Sequence, residues 1–244
     1  MSLGSLWSVS DGNNDSVMQR QISESDPLYV QQDPAIVNGV LSHAKSTTIG
    51  RASDAGSNPA WETTMEAGEQ AISVRSASGS ERPLIERLSQ FYIYDFSEIE
   101  PPGSVNLEFG AQGGYSPLPD LNLYWRNDGF HPLLIRVEEW LVGFALINTR
   151  SHHRESIEHN MAEFFVARKH RRRGVATEAV RQILACYPGD WEVAVAERNL
   201  AANAFWPRAI AAAPNVDHLV RLEGDGEHWR GPIWSFRAAD GCVT

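Results

Sequence analysis

The chain has 244 residues, 42% of them apolar, and a formal net charge of −10. That is material for one sizeable domain, or one domain plus a tail, and its acidic balance argues against general nucleic-acid or anionic-membrane binding. Two cysteines, Cys186 and Cys242, make neither a disulfide framework nor a zinc spacing; no apolar run approaches the ~20 residues that span a bilayer and no signal peptide opens the chain, so a cytoplasmic setting is expected.

Residues 1–64 are rich in Ser, Asp, Asn, Gln and Thr and poor in large apolar side chains. Such a segment buries too little surface to offset its ordering entropy, so a disordered leader is expected. One short helix fits Asp33–Ala44: Asp33 caps it, Pro34 suits its first position, and Ile36, Val37, Val40 and Leu41 share a face. Gly56-Ser57-Asn58-Pro59 reads, in one frame, like the T-arm of a tRNA gene. Two readings follow: translated upstream DNA with the biological start at Met65, or a genuine floppy tail. The intact mass of the native protein separates them, because a species carrying residues 1–64 rules out the first.

From Gln70 to residue 238 the pattern is that of a packed α/β domain. Ala71–Arg75 reads as a short strand. Ser80 caps a helix whose first turn holds Glu81 and Pro83, with Leu84, Ile85, Leu88 and Phe91 as its apolar face. Pro101–Gly129, rich in Gly, Pro and Asn, is a long loop with room for a short helix, and such segments are often functional. Pro132–Val137 and Trp140–Asn148 are strands joined at Glu138-Glu139. The run "WLVGFALI" is apolar on both faces, so its strand is central and covered on both sides. A polar loop, Thr149–Asn160, leads to a strand at Met161–Arg168. Val175, Ala179, Val180, Ile183 and Leu184 then recur at helical spacing, with Thr177, Glu178, Arg181 and Gln182 on the outer face. Tyr187-Pro188-Gly189-Asp190 ends that helix. A strand at Trp191–Ala196 and a helix at Asn199–Ile210 follow. Leu219–Leu222 and Ile233–Arg237 form a closing hairpin around Gly224-Asp225-Gly226.

The stretch "HRRRGVATEAV" concentrates positive charge in an acidic chain. A strand, a glycine turn and a helix place free backbone N–H groups at a helix N-terminus, which with the helix dipole make an anion site. Gly174 lets a ligand approach the backbone, Ala176 keeps the next turn thin, and Arg171, Arg172 and Arg173 add charge-assisted donors. The G-x-x-x-x-G-K-[ST] and G-x-G-x-x-G patterns are both absent. By these arguments the loop suits a phosphate-bearing ligand; a solvated basic turn is the alternative.

Arg171-Arg172-Arg173-Gly174-Val175-Ala176 resembles the Q/R-x-x-G-x-G/A signature of the GNAT superfamily, the acyl-CoA-dependent N-acyltransferases. "EFFVARKH" looks like that family's fourth strand, and "ERNLAANAFW" resembles its N-x-x-A-x-x-[FL]-Y signature through Asn199, Ala202 and Phe205. The resemblance covers residues 70–238. It implies an α/β fold with a mixed, mostly antiparallel central sheet flanked by helices. It also implies acetyl-CoA as co-substrate, with the backbone amides of Arg172 through Ala176 holding the pyrophosphate. Phe164, Phe165 and Val166 would pair with the pantetheine arm where strands four and five splay, and an N–H near Val166 would polarise the thioester carbonyl. Lys169 or an arginine would reach the ribose phosphate. Asn199 would either cap the next helix or touch the pantetheine.

Amine acetylation needs a neutral nucleophile, yet an alkylamine titrates near ~10, so a carboxylate is expected to take its proton. Glu163 leads: it precedes three apolar residues on the central strand, where an unpaired charge is costly. A structural ion pair with a neighbouring arginine is its alternative role. Glu192, beside Trp191, is the runner-up. Where many relatives carry a tyrosine to protonate the thiolate this chain has Trp206, so either water or another tyrosine is expected to serve, with Tyr124 in "NLYWR" the candidate. His152, His153 and His159 with Glu155 and Glu158 read as a solvated loop without metal-ligand spacing, and no metal is expected. Trp125, Trp140 and Trp191 read as core or pocket wall. The expected activity is acetyl transfer from acetyl-CoA to a primary amine, small molecule or peptide, by direct attack in a monomer or homodimer. A non-catalytic acyl-CoA-binding module of the same fold is the alternative. The acceptor pocket falls to the loops Pro101–Gly129 and Thr149–Asn160.

Overall fold

The computed structural model describes residues 71–100 and 107–241. The leader, its Asp33–Ala44 helix and the Met65 start lie outside the described residues, as do residues 101–106. The strands are β1 (Ile72–Ser76), β2 (His131–Val137), β3 (Trp140–Asn148), β4 (His159–Val166), β5 (Gly189–Ala194), β6 (Val216–Glu223) and β7 (Pro232–Ala238). The helices are α1 (Arg82–Ser97), α2 (Val175–Cys186) and α3 (Leu200–Ala211).

The seven strands form one sheet in the order β1-β2-β3-β4-β5-β7-β6. Every neighbouring pair is antiparallel except β4 and β5. As its two-faced apolar run requires, β3 is interior. Val142, Ala145 and Ile147 enter a core covered by α2 and α3, while Phe144 and Leu146 enter a second core covered by α1 and the 3-10 segment Leu121–Trp125. That segment is the short helix expected inside the long loop. The five apolar residues assigned to the α2 face are all buried. Gln182, assigned to its outer face, instead reaches the edge strand: it accepts from Val74 N at 3.0 Å and donates to Ile72 O at 2.9 Å, closing a free edge.

Several boundaries move, each for a local reason. A 3-10 turn (Gly79–Glu81) precedes α1, so Ser78 rather than Ser80 opens it, with Ser78 N donating to the Glu81 carboxylate at 3.1 Å. The buried stripe of α1 is Ile85, Ser89, Tyr92, Ile93 and Phe96, and Phe91 is 63% exposed. An i, i+4, i+7, i+8 stripe running from Ile85 through the whole helix leaves position 91 on the flank. β4 starts two residues earlier than expected and stops at Val166, where Arg168–His170 tightens into a 3-10 turn. β5 likewise starts at Gly189 and ends at Ala194.

The parallel pair β4–β5 prepares a site, because it is joined only at His159↔Trp191 and Asn160↔Glu192. Beyond that rung the strands separate, leaving a V that opens toward their C-terminal ends.

Candidate functional site

The basic loop lies at the open end of the V, between β4 and α2. Arg172 (φ 61°) and Gly174 (φ 80°) both take the left-handed conformation, and α2 starts at the next residue. Helical hydrogen bonding begins with Glu178 N donating to Gly174 O at 2.9 Å, and Gly174 has no side chain to cap the turn. The first N–H groups of α2 are therefore left for solvent or a ligand. A Cβ added at Gly174 would meet nothing within 4 Å, so the glycine serves backbone conformation and leaves open space above the amides. Lys169, Arg172 and Arg173 are exposed. Burial, then the charges of Lys169 and Arg173, push the His170 imidazole below its ordinary value, and the second cause reports a positive local field.

Arg171 is a correction. Its guanidinium pairs with Asp95 of α1, its Nε donates to Val166 O at 2.6 Å, and it lies 5.7 Å over the Phe165 ring. Arg168 pairs with the same Asp95, at 2.8 Å, and with Glu98 at 3.2 Å. These two arginines clamp the loop to α1, and the cationic donors left facing outward are Lys169, Arg172 and Arg173.

Ladder alternation decides which backbone groups face the V. Ala167 N donates to Val142 O at 2.8 Å, so Phe165, opposite Phe144, spends both backbone groups on β3. The main chains of Phe164 and Val166 point to the other edge, where β5 has left. Phe165 is therefore removed from the strand-like pairing expected of three residues. Val166 O is taken by Arg171, and Val166 N–H faces the gap.

Glu163 is 1% exposed and shares a face with Leu146 and Phe165, toward α1. Its carboxylate accepts the Tyr92 hydroxyl at 2.5 Å, a tyrosine rather than the arginine considered from the sequence. Burial, then the Glu163 charge, push Tyr92 well above the ordinary tyrosine value, and the same two causes raise Tyr124. The Tyr124 hydroxyl accepts from Asn148 Nδ2 at 3.0 Å, and Asn148 Oδ1 accepts from Asn160 Nδ2 at 3.1 Å. Tyr92 was not singled out from the sequence. The face read through Leu84, Ile85, Leu88 and Phe91 missed the stripe that buries it, and its meeting with Glu163, 71 positions away, leaves no local signal.

Glu192 is fully buried on β5 and saturated with donors. It takes Ser151 Oγ at 2.6 Å, His152 N at 2.7 Å and His152 Nδ1 at 2.8 Å, and His153 Nδ1 lies 3.0 Å from its other oxygen. The loop expected to be solvated is thus anchored through Ser151 and His152. Burial opposes the charge of Glu192, but the bonds from His152 and Ser151 outweigh it and hold the carboxyl below its ordinary value. A group lowered on folding stabilises fully above its unfolded value, about 4.3, and loses that contribution as pH falls through the lower folded value. Glu192→Gln is accordingly expected to lower the melting temperature at neutral pH and to flatten its decline on acidification below about pH 5. Parallel acid limbs for the two proteins would contradict this.

Asn199 caps α3, its side chain accepting from Ala202 N at 3.1 Å, which is the capping alternative of the two. Trp206 is 1% exposed and packs edge-on against Phe164 at 5.3 Å. Trp191 is core, Trp125 donates its indole N–H to Ala77 O at 3.1 Å, and Trp140 is 64% exposed, neither core nor wall. Among the described residues no group of three or more His, Cys, Asp or Glu is placed to hold a metal ion. No described helix is long and apolar enough to cross a membrane.

Residues 94–210 match the sequence profile of the acetyltransferase (GNAT) family. No curated protein matches the chain. Among solved structures it is similar to an acetyltransferase from Thermus thermophilus, at 15% identity and TM-score 0.47, covering 68% of this chain and 96% of that one. It is also similar to the PaiA N-acetyltransferase of Thermoplasma acidophilum in complex with coenzyme A, at 10% identity and TM-score 0.46, covering 69% and 99%. The spermidine N-acetyltransferase of Vibrio cholerae in complex with CoA and spermine gives 13% identity and TM-score 0.40, covering 68% and 93%. The profile match spans the glycine turn, the parted strands and the Asn199 cap alike, so this stretch of the chain is similar to an acetyltransferase (GNAT) domain.

Proposed function

We propose that the protein transfers an acetyl group from acetyl-CoA to a primary amine by direct attack. The observation that carries this reading is the uncapped start of α2, with Gly174 at φ 80°, at the mouth of a V that opens after the Asn160↔Glu192 rung. Free amides from Arg172 through Ala176, with Arg172 and Arg173 beside them, suit a diphosphate. The backbone edge of Phe164 and Val166 suits a pantetheine arm that hydrogen-bonds like a strand. Val166 N–H is the donor for the thioester oxygen as it gains charge. Glu163 and Glu192 give the closed end of the V a negative potential that draws a cationic amine. Tyr124, whose hydroxyl oxygen accepts from Asn148 and keeps its own proton to give, is the proton source for the departing thiolate.

Calorimetry with acetyl-CoA and with free CoA tests the binding half, and mass detection of acetylated products across an amine panel tests the transfer. Binding with no product from any amine supports the non-catalytic module instead. Cys186 is exposed, so a thiol-reagent assay carries a background from the protein itself. Replacing Arg172 and Arg173 together by alanine is expected to weaken acetyl-CoA binding by roughly 10- to 100-fold, most strongly at low salt. An unchanged Kd at low salt would leave those side chains without a role.

A further inference from the structure

We infer that His152, held by Glu192, is the base that takes the proton from the attacking amine. This rests on the acetyl-transfer reading above. β5 sends Trp191 and Val193 into the core under α2 and α3, so Glu192 faces the opposite side, the side that carries Glu163 on β4. Glu192 also pairs with Asn160 at the last rung of the parallel pair, so the loop it anchors stands at the closed end of the V. There the two carboxylates differ from the imidazole in what they have left to give. Glu163 accepts the Tyr92 hydroxyl within an aromatic cluster, and Glu192 is filled by Ser151 and by the backbone and ring of His152.

His152 is committed on one side only. Its backbone N and its Nδ1 both bind Glu192 Oε1, at 2.7 and 2.8 Å, and its ring packs edge-on against Trp229 at 4.6 Å. With the Nδ1 proton given to a carboxylate, the neutral imidazole carries its lone pair at Nε2. Nε2 has no hydrogen-bond partner among the described residues, and the side chain is 10% exposed. A fixed tautomer, a fixed ring and a reachable lone pair are what a general base requires.

In the step, the amine nitrogen attacks the thioester carbonyl carbon. The C–N bond forms, the C–S bond breaks, and its electron pair leaves on sulfur. The surplus proton on nitrogen passes to His152 Nε2 while Nδ1–H stays on Glu192. The thiolate takes a proton from Tyr124, and solvent resets both groups. Glu192 is a positioning residue here, acting through the imidazole.

Bromoacetyl-CoA tests this without knowledge of the acceptor. A nucleophile within reach of the bromomethyl carbon, which stands in place of the acetyl methyl, bonds to that carbon as bromide leaves, and peptide mass spectrometry identifies it. The expected result is an adduct at His152 that is prevented by excess acetyl-CoA and absent from His152→Asn, whereas labelling of the exposed Cys186 is not prevented by acetyl-CoA. That variant keeps a donor toward Glu192 and should bind acetyl-CoA within about twofold of the wild type. Glu192→Gln should label at least about tenfold more slowly with the same acetyl-CoA affinity. On any amine that the wild type acetylates, His152→Asn should lower kcat and leave the KM for acetyl-CoA unchanged. An acetyl-CoA-protected adduct at Glu163, or no protected adduct at all in a protein that binds acetyl-CoA, overturns the assignment. A wild-type protein that binds no acetyl-CoA overturns the acetyl-transfer reading first, and the base assignment with it.

Discussion

Gly174→Leu is expected to abolish measurable acetyl-CoA binding, raising Kd by at least about 100-fold, while the protein stays folded. The residue sits at φ 80°, and a substituted side chain there costs roughly 1–2 kcal/mol of backbone strain. No neighbour lies within 4 Å of the added Cβ, so nothing in the core is displaced. For a domain of this size that strain lowers the melting temperature by only a few degrees, on the order of 2–4 °C per kcal/mol. Binding suffers differently. The new side chain stands where the proposed diphosphate would approach, and relief of the strain would turn the first amides of α2 away. Losing two charge-assisted hydrogen bonds, at about 1.5–3 kcal/mol each, already exceeds two decades of affinity. Calorimetry and a thermal melt on the same sample decide it, and tight binding by a folded Gly174→Leu protein would refute the anchor.

Trp206→Ala should be the most destabilising single change at this site. Its ring is 1% exposed and lies between Phe164 and Phe205, at 5.3 and 5.2 Å. Truncating a buried tryptophan costs about 3–5 kcal/mol, because the cavity collapses only in part. A melting-temperature drop of roughly 6–20 °C follows. Because Phe164 also turns its main chain toward the V, weaker acetyl-CoA binding is expected alongside. Trp206→Phe separates packing from polarity. The indole N–H has no hydrogen-bond partner among the described residues, so phenylalanine forfeits volume but no bond and should cost well under half as much. Equal losses from the two variants would mean that the nitrogen matters after all.

The residues themselves carried much of the fold. The two-faced run of β3, the apolar spacing of α2 and the hairpin of β6 and β7 each follow from a period or a turn that can be read locally. So does the turn before α2, because a glycine followed by a helix start is a local arrangement. Boundaries slipped where a 3-10 turn intervened, before α1 and after β4, since short turns leave no period to read.

The chemistry around that anchor was less legible. Arg171 looked like one of three phosphate donors and proves to be the one turned back onto Asp95 and Val166 O. His152 looked solvated, yet its backbone and ring both bind a buried carboxylate 40 residues away in the chain. Glu163 found a tyrosine of α1 as its partner.

Periodicity and turn chemistry are properties of neighbouring residues, and they determined the strands, the helices and the glycine-led helix start. Which charged group is satisfied and which is left free depends on contacts between segments far apart in sequence, and a one-dimensional pattern does not encode those distances. Only the packed sheet decided that the β4–β5 ladder breaks after Asn160, that Phe165 faces β3 while Val166 faces the gap, and that Glu192 meets His152.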